Sequence, residues 1–178
     1  MGRAVLTINR AIVMGVETNL RPIKRSNAQP AAGDVFIMRL PTDNYLFGRV
    51  ILAEPQREQA PMPSAYLIYI YSWQSRTKKP EQRHLSADSL LIPPTWTNRL
   101  GWTKGYFQTV ENLPLGRDAL LRRHCFRRHD GVYLDETGRK LPHRLEPCGE
   151  WGLVSYRWID DHVSDAVGIP RVPVTDKD

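Results

Sequence analysis

The sequence predicts a mainly β, α+β fold: a strongly curved antiparallel sheet, or a small SH3-like barrel, with a C-terminal helix. Two apolar runs, residues 33–40 and 45–54, flank a loop of turn-forming residues, which is typical of a β-hairpin. A third run, residues 65–73, is apolar on both faces, as a central strand is. Residues 159–170 carry an apolar residue every fourth position, which indicates an amphipathic helix.

Residues 1–32 are predicted to form an N-terminal arm or linker. Arg10 interrupts the first apolar stretch and no small-residue cleavage pattern follows, so a signal peptide is not expected. Residues 18–32 are polar, basic and contain two prolines, which favours an extended backbone. The alternative is a short helical N-terminal arm that folds over the barrel. Either Met1 or Met14 could be the natural first residue.

A single globular domain is predicted over residues 33–170. Gly48 interrupts the second apolar run, which predicts a bulge or bend where a side chain would clash. Residues 101–110 are predicted as another strand, and residues 133–141 as a hairpin around an Asp-Glu-Thr-Gly turn. Residues 117–126 fit a helix and a strand equally well.

The C-terminal section is predicted as a strand, residues 151–158, followed by the helix. Asp160 and Asp161 would lie in the first helical turn, where negative charge suits the dipole, and Gly168 would end the helix. The stripe expected to face the sheet consists of Ile159, Val163 and Val167. Residues 171–178 are expected to form a frayed tail.

Composition and charge exclude several classes of protein. The 178 residues are 41% hydrophobic and 25% charged with two cysteines, which disfavours a disordered chain and a disulfide scaffold. No apolar stretch has the length of a membrane helix, so no membrane partner is expected. The net charge of +6 suits an acidic protein or nucleic acid. Nucleic acid is disfavoured because residues 145–178 hold seven acidic and three basic residues.

No catalytic residue, metal or cofactor is predicted. The GxSxG, HExxH, Walker A, GxGxxG and CxxC patterns are absent from the sequence. The densest group of metal-ligating types is His124, Cys125, His129 and Asp130, and it lies among arginines whose charge would oppose a cation. Cys125 and Cys148 are expected to be unbridged in a reducing compartment. Enzymatic activity is therefore not the favoured interpretation.

Two charged segments are the candidate partner-binding residues. The first, the arginine strip, consists of Arg122, Arg123, Arg127 and Arg128. Four guanidinium groups within seven residues are too costly to bury together, so the strip is expected outside the core. The second, the acidic helix segment, consists of Asp160, Asp161 and Asp165. For both segments, a solvated face that binds nothing is the competing interpretation.

The first hairpin also matches a family pattern. The pattern is a Gly-Asp-hydrophobic-Phe strand, a Leu-Pro turn, and an aromatic residue followed by Gly-Arg-Val. The matching positions are Gly33, Asp34, Phe36, Leu40, Pro41, Tyr45, Phe47, Gly48, Arg49 and Val50. With these residues the segment resembles the opening of immunity-protein family 26 of bacterial polymorphic toxin systems. The resemblance extends loosely across residues 33–170.

The resemblance implies a cytoplasmic immunity protein that binds and neutralises a cognate toxin domain, without a cofactor or catalytic residues. It leaves the oligomeric state open. A small organophosphate-hydrolysing protein has been grouped with this family, so an organophosphate or ester hydrolase is the alternative, beside a nucleic-acid-binding module. Inhibitors that mimic nucleic acid are usually acidic. The basic balance of this chain therefore implies either another mode of inhibition or contact through the acidic C-terminal end.

Overall fold

A five-stranded antiparallel sheet forms the centre of the molecule. The computed structural model describes residues 18–53 and 61–173. The strands of this sheet are β1 (Asp34–Arg39), β2 (Tyr45–Ala53), β3 (Tyr66–Ser75), β4 (Thr95–Thr97) and β5 (Gln108–Asn112). Their order is β4-β3-β2-β1-β5. The predicted mainly β fold is confirmed, whereas the sheet does not close into a barrel, because β4 and β5 lie at opposite edges.

The predicted hairpin is β1–β2, and its second strand bends at Gly48. Gly48 is the cross-strand neighbour of Phe36, and the register between β2 and β3 shifts between Leu46 and Gly48. A Cβ atom at Gly48 would lie 2.6 and 2.8 Å from two atoms of the Phe36 ring. A glycine is therefore required here, because the ring occupies the space of a side chain.

A second, three-stranded sheet contains Arg127 of the arginine strip, and the other three arginines flank its first strand. Its strands are β6 (Cys125–Arg127), β7 (Tyr133–Leu134) and β8 (Cys148–Glu150), in the order β7-β6-β8. β6 runs parallel to β8. The predicted hairpin over residues 133–141 is confirmed, because Leu134 pairs with Lys140 across the turn.

The two α-helices begin where the sequence predicted strands. Residues 101–110 are not one strand: α1 (Leu100–Lys104) ends at Gly105, which has a φ of 91°, and β5 follows. Residues 151–158 are not a strand either, because α2 (Tyr156–Val167) begins within them. The side chain of Ser155 accepts a hydrogen bond from the Trp158 N–H at 3.1 Å, which caps the helix three residues earlier than predicted.

Each face of the large sheet is covered by its own core. The helix-side core, which α1 and α2 cover, consists of Leu20, Phe36, Met38, Leu40, Leu46, Val50, Tyr66, Ile68, Ile70, Ile92, Trp102, Tyr106, Phe107, Ile159 and Val163. The loop-side core consists of Val35, Ile37, Phe47, Ile51, Ala65, Leu67, Tyr69, Tyr71, Leu85, Ala87, Trp96 and Phe126. Burial of the predicted helix stripe is confirmed at Ile159 and Val163, while Val167 is half-buried.

An extended N-terminal segment, residues 18–32, lies against the domain. Leu20 is buried in the helix-side core, and the Arg21 N–H donates to the Arg39 carbonyl at 2.8 Å. The first 17 residues and residues 174–178 lie outside the described residues. The choice between Met1 and Met14 as the natural start, and most of the expected frayed tail, therefore also lie outside them. Within residues 18–53 and 61–173, no helix has the length and apolar character needed to cross a membrane.

Candidate functional site

The arginine strip lies outside the core, as predicted, but it is divided in two. Arg122, Arg123 and Arg127 are exposed and Arg128 is half-buried. Residues 124–126 are buried between the two pairs of arginines, because they form the interior part of β6 and its approach. The strip is therefore two separate basic pairs rather than one continuous surface.

Arg128 is already engaged by a neighbouring carboxylate. Its Nη2 lies 2.6 Å from Oδ2 of Asp130, and its Nε donates to the same carboxylate at 3.0 Å. These hydrogen bonds lower the pKa of Asp130 to about 2. In the second basic pair, Arg128 is therefore neutralised locally, and the pair offers less positive charge to a partner.

The first basic pair lines a groove of about 610 Å³. This arginine groove, as we call it, is lined by the exposed Arg117, Arg122 and Arg123 and by the half-buried Leu120, Leu121 and Leu145. None of these arginines forms an ion pair with a residue that the structure describes. Their charges are therefore available to a bound molecule.

Carboxylates line the same groove, which makes its charge mixed. They are Asp88, Asp118 and Glu146, and Glu146 is held by Arg144 in an exposed ion pair. Nucleic-acid sites are strongly and uniformly positive because they neutralise phosphates. A groove with both signs of charge and leucine side chains resembles a protein–protein interface more closely.

In the acidic helix segment, Asp160 is buried and has a structural role. It is 1% exposed, and its carboxylate accepts hydrogen bonds from the backbone N–H groups of Asn19 at 3.0 Å and Leu20 at 2.7 Å. Burial raises the pKa of Asp160, and the two N–H donors oppose that rise. Asp160 therefore fastens the N-terminal segment to α2 and is not accessible to a partner. Because α2 begins at Tyr156, Asp160 and Asp161 do not lie in its first turn as predicted, and Asp160 is buried beside Ile159.

The other two acidic residues are more accessible. Asp161 is half-buried and Asp165 is exposed. Arg171 donates from Nε to Oδ1 of Asp165 at 2.9 Å and thereby lowers the pKa of that carboxyl. The acidic helix segment is thus not a single surface, because one member is buried and another is paired.

The structure reveals a buried polar relay that the sequence did not indicate. It consists of Tyr69, His124 and Glu136. The Tyr69 hydroxyl lies 2.6 Å from Nε2 of His124, and Nδ1 of His124 lies 3.1 Å from Oε2 of Glu136. The Tyr69 oxygen also accepts the Leu121 N–H at 3.2 Å. The contact between His124 and Glu136 is an ion-pair distance without hydrogen-bond geometry, because neither of its two atoms has a hydrogen-bond partner among the described residues.

The order of groups resembles a catalytic triad, but its last member is unsuited to nucleophilic attack. Burial raises the pKa of Tyr69 to about 12, so the phenol stays protonated at neutral pH. The relay instead joins β3, the approach to β6 and the turn after β7, and it thereby fixes the small sheet on the large one. No sequence signal pointed to it, because its members lie far apart along the chain.

The suggested metal-ligand group is dispersed into separate contacts. His124 belongs to the relay, and Asp130 to its ion pair with Arg128. Cys125 is the cross-strand neighbour of Cys148, and their Sγ atoms lie 2.9 Å apart as free, buried thiols. Burial raises the pKa of Cys148 to about 12, which keeps this thiol protonated and weakly nucleophilic. In the part of the chain that the structure describes, no three metal-ligating side chains converge.

Together, the open five-stranded sheet and the accessible arginine groove define a small β-rich domain with a candidate binding surface. Residues 31–135, which run from before β1 to the end of β7, match the family model described as Immunity protein 26. Because the match spans more than half of the chain, the protein belongs to the immunity protein 26 family. The comparisons with curated proteins and with solved structures gave no match.

Proposed function

We propose that this protein binds and neutralises a cognate toxin domain in the cytoplasm, and that the toxin binds at the arginine groove. Family membership supports a toxin as the partner. The observation that carries the choice of surface is the combination of three unpaired arginines with three half-buried leucines in one groove. Exposed charges accelerate and orient the encounter, while apolar contacts at the centre of an interface supply most of the affinity.

The test uses the toxin domain encoded beside this gene, inactivated in its own active site. Wild-type protein should bind this domain and protect cells that express the active toxin. The double variant Arg122→Glu, Arg123→Glu should bind at least about tenfold more weakly, chiefly through slower association at low salt. Protection that is lost only when the protein is exported from the cytoplasm would support the proposed location.

A matched control separates the groove from the overall charge. The double variant Lys78→Glu, Lys79→Glu changes the net charge equally at two exposed positions outside the groove, and it should bind almost normally. If wild-type protein neither binds nor protects, the proposed function is wrong. If both double variants lose affinity equally, the groove is not the contact.

Two further pairs test how far the contact extends. Arg127→Glu with Arg128→Glu examines the second basic pair, and Asp161→Asn with Asp165→Asn examines the accessible part of the acidic helix segment. We expect smaller losses of affinity from both, because neither pair lines the groove and two of the four side chains already have ion-pair partners. If wild-type protein is retained on a phosphate-bearing column as strongly as on immobilised toxin, nucleic acid is favoured as the partner instead.

A further inference from the structure

Arg49 is a buried arginine that has no carboxylate partner among the described residues. This residue of β2 is 1% exposed, and its Nη2 donates to the carbonyl oxygens of Leu113 at 2.6 Å and Pro114 at 2.8 Å. Its Nε has no hydrogen-bond partner, and no carboxylate among the described residues forms an ion pair with it. The hydroxyl of Tyr71 also lies near the guanidinium, but carbonyl and hydroxyl dipoles leave a buried cation much of its desolvation cost. It therefore attracts an anion.

A cleft adjoins Arg49. It measures about 310 Å³, and Arg49, Ser86, Pro114 and Gly116 contribute to its walls. Ser86 also lines the arginine groove, so the two depressions adjoin. A volume of this size lies at the lower end of ligand pockets, which suits one small group rather than an extended molecule.

The other charges of the cleft restrict the charge of the ligand. Arg83 lines the cleft but pairs with Glu81 at 2.7 Å, so its charge is largely neutralised. Asp118 is exposed and lines the cleft as well. One buried positive charge beside an exposed carboxylate favours a monoanion over a dianion such as phosphate, because the second negative charge would meet Asp118.

We propose that the Arg49 cleft is a binding site for a carboxylate group. The guanidinium of Arg49 supplies the charge, and the hydroxyl of Ser86, whose oxygen accepts the Asp88 N–H at 3.3 Å, supplies a second donor. The carboxylate belongs either to a free small acid or to an acidic side chain of a bound protein. The site itself does not depend on the proposed toxin binding.

Gly116 allows a test that leaves Arg49 in place. Its φ of −78° and ψ of 167° suit any residue, and a Cβ added there would meet no atom within 4 Å. Gly116→Glu puts a carboxylate at the wall of the cleft, where it occupies the site or repels a ligand. Gly116→Gln has the same size and shape without the charge, and is the matched control.

The probe is acetate, titrated against chloride at constant ionic strength while the Arg49 Nε–Hε resonance is followed by NMR. Wild type and Gly116→Gln should show a saturable shift of this resonance, and Gly116→Glu should bind acetate about fivefold or more weakly. Inorganic phosphate should bind more weakly than acetate. A variant without the cation, Arg49→Gln, should show no saturable acetate shift of neighbouring backbone amides, provided that its spectrum is that of a folded protein.

Three results would overturn the proposal. They are the absence of a saturable acetate shift in wild type, an equal response of the two Gly116 variants, and tighter binding of phosphate than of acetate.

The source of the carboxylate is identified by measuring the affinity of the toxin domain for wild type and for the two Gly116 variants. If a toxin side chain provides it, acetate and Gly116→Glu weaken the complex while Gly116→Gln does not. If a free acid provides it, toxin affinity is the same in all three proteins.

Discussion

The two faces of the large sheet differ in how their polar groups are satisfied. On the helix side, the buried carboxylate of Asp160 accepts two backbone hydrogen bonds. On the loop side, Nε of Arg49, the hydroxyl of Tyr71 and Nε1 of Trp96 are buried without a hydrogen-bond partner among the described residues. The arginine groove and the Arg49 cleft both border this second side.

This difference indicates that the helix side of the sheet serves stability and the loop side serves binding. Unsatisfied buried polar groups reduce stability, so a folded protein that retains several of them on one side needs a reason for doing so. Of these groups, Arg49 lines the Arg49 cleft, where a ligand could complete its hydrogen bonds, whereas Tyr71 and Trp96 line neither depression. We therefore expect substitutions on the helix side to affect stability most, and substitutions on the loop side to affect binding at a smaller cost in stability.

The largest loss of stability is expected from Gly48→Val. The new side chain would overlap the Phe36 ring, which cannot move aside because it packs against Trp102 and Phe107 with centroids 5.1 and 5.0 Å away. Overpacking of this kind should lower the free energy of unfolding by about 3 kcal/mol, measured by urea denaturation.

A glycine with free space around it is the control for Gly48→Val. Gly152→Val should change the unfolding free energy little, since no atom lies within 4 Å of a Cβ at that position. Adding Phe36→Leu to Gly48→Ala should recover part of the loss that Gly48→Ala causes alone. Equal urea midpoints for wild type and Gly48→Val would show that the helix-side core is not tightly packed here.

The next largest loss is expected from Val163→Ala on α2. Val163 is 1% exposed in the helix-side core, so its truncation should cost on the order of 1–3 kcal/mol in unfolding free energy. Val167→Ala removes the same atoms from a half-buried position on the same helix and should cost less. Thermal and urea denaturation check both values, and equal losses would show that α2 does not seal this face.

The parts of the fold that the sequence predicted are those with a local physical signature. The first hairpin follows from alternation and turn residues, the bend from Gly48, and the face of α2 from its apolar stripe. The strand predicted over residues 101–110 was wrong because its aromatic residues favour strands by propensity, whereas packing of Trp102 in the core selects a helix. The start of α2 was missed because the capping role of Ser155 was not recognised.

The polar interior could not be predicted in the same way. Arg49 lies within an apolar run and Tyr69 within another, so the pattern shows that both are in strands but not what their polar ends contact. The sequence presents His124 only as a metal-ligating residue type among arginines, and nothing in it indicates the contact with Tyr69. Contacts of this kind depend on residues far apart along the chain, which a periodicity cannot encode. The position of the arginine strip was predictable because four guanidinium groups within seven residues are too costly to bury together, although the single Arg49 is buried.

On the loop side, two tyrosines of β3 form a matched pair. The Tyr69 hydroxyl contacts His124 and the Leu121 N–H, whereas the Tyr71 hydroxyl lies near Arg49 but has no partner with hydrogen-bond geometry among the described residues. Tyr69→Phe should therefore lower the unfolding free energy by about 1–2 kcal/mol, because it leaves His124 unsatisfied. Tyr71→Phe should be close to neutral. Equal losses from the two substitutions would contradict the relay.

The smallest effect, and the one that depends on pH, is expected from Glu136→Gln. The close contact with His124 lowers the pKa of Glu136 in the folded protein, while the unfolded chain has the ordinary value of about 4.3. The ionised carboxylate therefore stabilises the fold above that value, and this contribution is lost as pH falls through the lower folded pKa. Because the side chain is one-third exposed, we expect the substitution to cost only about 0.5–1 kcal/mol at pH 7.

The pH profile distinguishes the relay from a simple loss of packing. The stability difference between wild type and Glu136→Gln should shrink as urea denaturation is repeated at decreasing pH below about 4.3, whereas a packing defect would cost the same at each pH. In a Tyr69→Phe background the cost of Glu136→Gln should also change, since contacting members of one hydrogen-bond network are energetically coupled. A pH-independent, fully additive loss would mean that Tyr69, His124 and Glu136 act separately, and that the small sheet is held by its apolar contacts alone.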